Sequence, residues 1–134
     1  MKAFVDTSAF LAVLDRDDQA HEQASVIWTQ LIEQHIELLT TNYVLVETNA
    51  LIQQRLGMQI LHIFEEQVVS ILNTTWIDKE IHKAGLTTLR AANRRGLSLV
   101  DCVSFIVCQQ LQVKAVFAFD NHFWEQGFKV LIAG

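Results

Sequence analysis

Proline is absent from this chain, and cysteine and tyrosine are scarce, with two residues and one. Without proline, low-complexity runs or internal repeats, nothing reads as a linker, so residues 1–134 are expected to form one domain. Cys102 and Cys108 stand on different faces of a helical pattern, which argues against a disulfide or a zinc site. They fit reduced, structural thiols in a reducing compartment. Cations are also in deficit: ten Lys and Arg against fifteen Asp and Glu leave a net charge of −5. That excludes gripping nucleic acid by whole-molecule charge. Any such role needs a local basic patch, or cations held by the protein's own acids. No apolar run exceeds about six residues, against the ~20 that a membrane helix needs. Asp6 interrupts the stretch where a secretory signal would keep its apolar core. A soluble cytoplasmic protein with no membrane role is expected.

What the chain does have is apolar periodicity. Ala3 to Val5 read as a short buried strand that ends at Asp6, and an apolar run from Ala9 to Leu14 reads as a helix capped by Thr7 or Ser8. The acidic turn at Asp15 to Asp18 caps the next helix; it lacks the glycine of a calcium loop, and Val26 stands where the closing Glu would be. Ala20, Ala24, Ile27, Trp28, Leu31 and Ile32 form the stripe of a helix from Gln19 to His35. Ile36–Thr40 reads as the second strand, and Thr41 and Asn42 cap a helix from Tyr43 to Leu56 that Gly57 closes. Met58–Leu72 reads as one further helix and Thr74–Ile77 as a weak third strand. Asp78 caps a helix ending in Arg94-Arg95-Gly96, where cations suit the helix dipole. A helix from Ser98 to about Gln112, a buried strand over Val113–Phe119 and a last strand over Phe128–Ile132 complete the chain. Alternating strands and helices predict an α/β fold: a three-layer α/β/α sandwich around a central, mainly parallel five-stranded sheet.

Four acids occupy unusual positions. Asp6 and Asp120 end buried strands, Glu47 sits among Tyr43, Val44, Ala50 and Leu51 on what reads as a core-facing helix side, and Asp101 lies one turn into the Ser98 helix. Each has a bland role available. Ser98 and Asp101 form a ready capping box, Asp6 and Asp120 can cap the helices after them, and Glu47 can pair with Arg55. Together they suggest something else. Strands one and four, if adjacent where the strand order reverses, turn Asp6 and Asp120 into one crevice, with Glu47 and Asp101 on its flanks. Converging carboxylates repel one another unless a divalent cation neutralises them, and an all-oxygen ligand set favours Mg²⁺ or Mn²⁺ over zinc. Acid clusters of this kind serve phosphodiester hydrolysis.

These residues resemble the PIN-domain ribonucleases, in particular the toxins of VapBC-type toxin–antitoxin pairs. The likeness covers essentially the whole chain. It rests on Val5-Asp6-Thr7-Ser8, on Thr41 to Glu47, on Ser98-Leu99-Val100-Asp101 and on Phe117-Ala-Phe119-Asp120-Asn121-His122-Phe123. The resemblance implies Asp6, Glu47, Asp101 and Asp120 as the metal-site acids, assisted by Thr7 or Ser8. It implies metal-assisted cleavage of single-stranded or loop RNA, with Asp6 and Asp101 holding the main ion and Glu47 and Asp120 completing or bridging it. It also implies a homodimer and a small antitoxin partner. Asn121 departs from the pattern, since the family often has Arg there, and a possible phosphate contact goes with it. His122 reads either as a capping and packing residue or as one that orients a carboxylate or touches phosphate. Arg90, Arg94 and Arg95 read either as an RNA-tracking cluster or as a solvated helix end. An adhesion-type metal site would need Ser where Phe10 stands, and a haloacid-dehalogenase-like phosphatase would need a second Asp where Ser8 stands. A PIN-like interaction module with weak or no cleavage shares every motif and differs only in activity.

Overall fold

The computed structural model describes residues 1–132. Among these, five strands form one parallel sheet in the order β3-β2-β1-β4-β5, with helices packed on both faces. The strands are β1 (Lys2–Val5), β2 (Glu37–Thr41), β3 (Asn73–Thr75), β4 (Ala115–Phe117) and β5 (Lys129–Val130). The helices are α1 (Thr7–Leu14), α2 (His21–Glu33), α3 (Asn42–Arg55), α4 (Met58–Ile63), α5 (Lys79–Ala92), α6 (Leu99–Gln110) and α7 (His122–Glu125). The central strands are apolar on both faces because helices cover both: Phe4, Val5, Val116 and Phe117 are fully buried. β1 pairs with β2 on one side and with β4 on the other, through Phe4 opposite Leu39 and Phe4 opposite Val116. Strand order therefore reverses between β1 and β4, and the crevice at their carboxyl ends is where such sheets bind ligands.

Several boundaries differ from the sequence reading for local reasons. The stretch expected as one helix from Met58 to Leu72 changes pitch. After α4 comes a π turn over Phe64–Val68 and a 3₁₀ turn over Val69–Ile71. The wider turn lets Phe64 and Val68 both reach the core while Ile71 is left half-exposed, and Phe64 packs edge-on against Phe10 at 5.2 Å. The fourth strand is shorter than expected because the Phe119 N–H leaves the ladder and donates to Ser8 Oγ at 3.0 Å. α5 stops at Ala92, where Asn93 takes a left-handed conformation, so Arg94 and Arg95 lie beyond the helix and only Arg90 occupies its last turn. Cys102 and Cys108 are both free and buried, because α6 is enclosed on most of its circumference. Burial together with the charge of Asp6 pushes the Cys108 thiol up to about 12, so it stays protonated. At Gly85 on α5 a Cβ would come 2.7 Å from Val103 Cγ2, so the missing side chain sets how closely α5 meets α6. Among the described residues no helix is long and apolar enough to cross a membrane.

Candidate metal centre

The site grows out of three turns. β1 ends at Val5, and Asp6 continues its pairing by donating its N–H to Phe117 O at 3.0 Å. Asp6 is then the N-cap of α1. Its carboxylate accepts from Ser8 N at 3.3 Å and from Ser8 Oγ at 2.8 Å. The same Ser8 oxygen accepts from Phe119 N, so one hydroxyl ties the β1–α1 turn to the loop that carries Asp120. The sequence reading gave the capping to Thr7 or Ser8 and left Asp6 free for the site. Instead Asp6 does both, because the short N-terminal turn exposes amides that a carboxylate one residue earlier reaches best.

Asp101 is the third residue of α6. The expected capping box forms: Asp101 N donates to Ser98 Oγ, and Ser98 N donates to Asp101 Oδ2, both at 3.1 Å. Asp120 lies past β4 and accepts from His122 N at 3.1 Å. One oxygen from each of Asp6, Asp101 and Asp120 lies within 4.8 Å of the others. A backbone amide thus holds each acid, and the three carboxylates meet in one crevice.

The electrostatics record the convergence. Burial, then the charges of Asp120 and Asp101, drive Asp6 up to about 8, against the opposing hydrogen bond from Ser8. Asp101 is also raised, first by burial and further by Asp120, while the Ser98 hydrogen bonds and the nearby His122 act the other way. Three carboxylates that cannot all ionise comfortably form a donor set that a divalent cation fits. The ligands are hard oxygens without sulfur or nitrogen, as Mg²⁺ and Mn²⁺ prefer.

Glu47 is not part of that group among the described residues. The expectation that it faces the core is also corrected. The buried stripe of α3 is Val44, Thr48 and Ile52, with Ala50 exposed and Glu47 half-buried. The apolar flanks misled because the core-facing middle position is a polar residue, Thr48. Its hydroxyl donates to Thr7 Oγ1 at 2.9 Å, and Thr7 Oγ1 donates to Val44 O at 3.4 Å. Thr7 is therefore committed to α3, and it fixes the turn on which Glu47 sits. Glu47 itself lines a shallow depression with Val100, the neighbour of Asp101.

His122 completes the surroundings. Its Nε2 lies 3.9 Å from Asp101 Oδ2 and its Nδ1 3.5 Å from Glu125 Oε1, and Glu125 in turn pairs with Arg94 at 3.4 Å. The Nδ1 atom is buried and makes no hydrogen bond among the described residues. Glu125 and Thr48 were not singled out in the sequence. The i, i+3 spacing of His122 and Glu125 was the available signal for the first, whereas Thr48 left none. The arrangement is thus a carboxylate triad, two members buried and Asp120 half-buried, with a histidine at its rim, suited to holding a divalent cation against a phosphate.

Comparisons with known proteins agree with this geometry. A family model described as PIN domain matches residues 3–129. No curated protein matches in sequence. Among solved structures, the Mycobacterium tuberculosis VapC20, described as a sarcin-ricin loop cleaving toxin, superposes with a TM-score of 0.87 at 24% identity, covering 98% of this chain and 99% of that one. FitAcB from Neisseria gonorrhoeae gives a TM-score of 0.69 at 12% identity, covering 96% of each chain. PAE2754 from Pyrobaculum aerophilum gives 0.58 at 16%, covering 94% of this chain and 84% of that one. At these identities the structural matches establish the fold.

Proposed function

Because this chain belongs to the PIN-domain family, we propose that it is a Mg²⁺- or Mn²⁺-dependent endoribonuclease that hydrolyses phosphodiester bonds of RNA in the cytoplasm. The observation that carries the reading is the convergence of Asp6, Asp101 and Asp120 within 4.8 Å at the point where strand order reverses. The buried Asp6 carboxyl, raised to about 8, supports it, since that charge is relieved best by a cation.

In this reading Asp6 and Asp101 hold the main ion, and Asp120 and Glu47 complete or bridge the set. When bound, the cation lowers the pKa of a coordinated water and stabilises charge on the phosphate. Ser8 fixes the rotamer of Asp6, and its bond to Phe119 holds the Asp120 loop at the same depth. Thr7 assists from a distance by locking the α3 turn that carries Glu47. His122 stands beside Asp101, where it can hold that carboxylate's orientation or meet a phosphate oxygen.

We further propose that the protein acts as a homodimer and as the toxin of a toxin–antitoxin pair, with a small antitoxin covering the crevice. The likeness to VapC20, a sarcin-ricin loop cleaving toxin, supports the toxin part of that assignment and makes a sarcin-ricin loop RNA the first substrate to try. A second reading, a catalytically weak PIN-like interaction module, draws on the place of Glu47 outside the carboxylate triad. Incubating purified protein and the Asp6→Asn variant with structured RNAs in Mg²⁺, Mn²⁺ or EDTA separates the two. Metal-dependent cleavage lost in Asp6→Asn is expected of the nuclease. Cleavage that survives EDTA or the substitution rejects the metal mechanism, and no cleavage of any RNA favours the module.

A further inference from the structure

The amino ends of the strands carry a different chemistry from the carboxyl ends. A groove of about 880 Å³ lies between the end of α6 and the segment after α7, and it continues into a second of about 320 Å³ beside β1. The two share Gln112, Lys114 and Lys129, with Lys2 lining one and Gln109 and Gln126 the other. No acid among the described residues lines either. Strand register sets the three lysines side by side. Ala3 pairs with Ala115 and Ala115 with Lys129, so Lys2, Lys114 and Lys129 stand at the starts of three adjacent strands, about 5 Å apart. Lys129 N donates to Lys114 O at 2.9 Å, which ties two of them together. None of the three forms an ion pair among the described residues. Glu37, opposite Lys2 on β2, accepts from Asn73 Nδ2 instead.

Resting on the ribonuclease reading, we infer that this groove holds backbone phosphates of the RNA substrate, a few nucleotides away from the carboxylates. Like charges on neighbouring strands repel one another. A lysine that guards against sheet pairing is needed only at an edge, which accounts for Lys129 on β5 and for neither of the others. A polyanion accounts for all three. The amides of Gln109, Gln112 and Gln126 add donors for phosphate oxygens and ribose hydroxyls. The groove also adjoins the site through α7. That helix starts just after Asp120 and Asn121, and Gly127, at φ 87°, turns the chain so that Gln126 and Lys129 form the groove's wall. Phe128 steadies this wall by stacking on Phe105, with ring centroids 6.1 Å apart. β4 crosses the sheet between the two edges in three residues, about 10 Å. RNA that leaves the carboxylates over α7 therefore arrives at Lys129 and Lys114. RNA is favoured over an acidic protein because a chain of net charge −5 needs a local basic patch to hold the anion it would cleave. The arginines supply less of one, since Arg94 is engaged by Glu125.

The test measures binding of a labelled single-stranded RNA of about 12 nucleotides, held uncleaved in Ca²⁺, to the wild type across a salt series. The same series is run on Lys114→Gln/Lys129→Gln, on Lys114→Arg/Lys129→Arg and on Lys79→Gln/Lys83→Gln, which removes equal charge from α5. Thermal unfolding and sedimentation of each protein without RNA accompany it. Lys114→Gln/Lys129→Gln is expected to weaken binding on the order of 10-fold near 0.1 M salt, and to lower the slope of log affinity against log salt by about 1.4, roughly 0.7 for each lysine. The arginine pair and the α5 pair should match the wild type. Undiminished binding by Lys114→Gln/Lys129→Gln overturns the inference and leaves the groove to an acidic protein. An equal loss in the α5 pair also overturns it, because net charge then suffices. So does a wild type that binds no RNA. A loss that tracks a change in unfolding temperature or self-association overturns it as well, assigning the lysines to the fold or to a second copy. Cleavage by the wild type in Mn²⁺ is read separately. Binding that depends on the lysines without cleavage keeps the groove and removes the nuclease, whereas cleavage with binding indifferent to the lysines does the reverse.

Discussion

In the carboxylate cluster each acid is gripped by a backbone amide: Asp6 by Ser8, Asp101 by Ser98 and Asp120 by His122. On the α3 flank the placement of Glu47 comes second-hand, through the buried hydroxyl pair of its neighbour Thr48 with Thr7. The first region is the more deeply buried, and Asp6 and Asp101 in it are raised above their ordinary range. The second is half-exposed and sits at the mouth of a groove. Caps place charge where it is costly, and a helix flank places it where substrate can still move past. A site assembled from both can hold an ion firmly and leave one ligand adjustable.

The largest expected effect lies in the first region. Asp6→Asn should lower metal-dependent cleavage by on the order of 10³-fold, since a cation contributes several kcal/mol of charge stabilisation. The same change should raise the stability of the metal-free protein near neutral pH by on the order of 2 kcal/mol, because a carboxyl that burial keeps protonated far above its ordinary range is replaced by a neutral amide. Chemical denaturation and RNA cleavage read these two opposite signs. A loss of both would reduce Asp6 to a structural cap.

Glu47→Gln distinguishes the regions next. If the flank acid completes the site, cleavage falls roughly 10- to 100-fold while stability is unchanged, as for a supporting ligand on a half-exposed surface. Unchanged cleavage would confine the site to Asp6, Asp101 and Asp120.

Thr7→Val should then cost about 1–3 kcal/mol, since Thr48 loses a buried partner. It should lower cleavage through Glu47 alone, so adding it to Glu47→Gln should bring no further catalytic loss. Additive losses would break the proposed link between Thr7 and Glu47.

The comparison also reaches pH dependence. A carboxyl raised from 3.8 to about 8 binds its proton more tightly in the folded state. Metal-free stability should therefore fall as pH rises from about 4 to about 8 and level off above. Saturating Mn²⁺ should weaken or reverse that slope, because cation and proton compete for Asp6. Equal slopes with and without Mn²⁺ would place the cation elsewhere.

The strand-end acids were legible in the sequence because a strand, a carboxylate and a helix start are all local signals. The β1–β4 adjacency that unites them follows from strand order, and the capping box at Ser98 was read residue for residue. Glu47 was reached by a faulty route. Its apolar neighbours suggested a core face, but α3 buries a polar stripe position at Thr48, and a residue satisfied by a partner 41 positions away leaves no periodic trace. The pitch change after Ile63 was invisible for a similar reason, since it answers the position of Phe10 rather than any local propensity.

Cation binding without RNA tests the central claim most directly. Thermal unfolding and calorimetric titration of wild type and Asp6→Asn with Mn²⁺ near pH 8 would settle whether the carboxylates at the strand ends form a divalent site. Wild type should bind and gain several degrees in Tm, while Asp6→Asn should do neither. An equal response from both proteins, or none from either, would contradict the account.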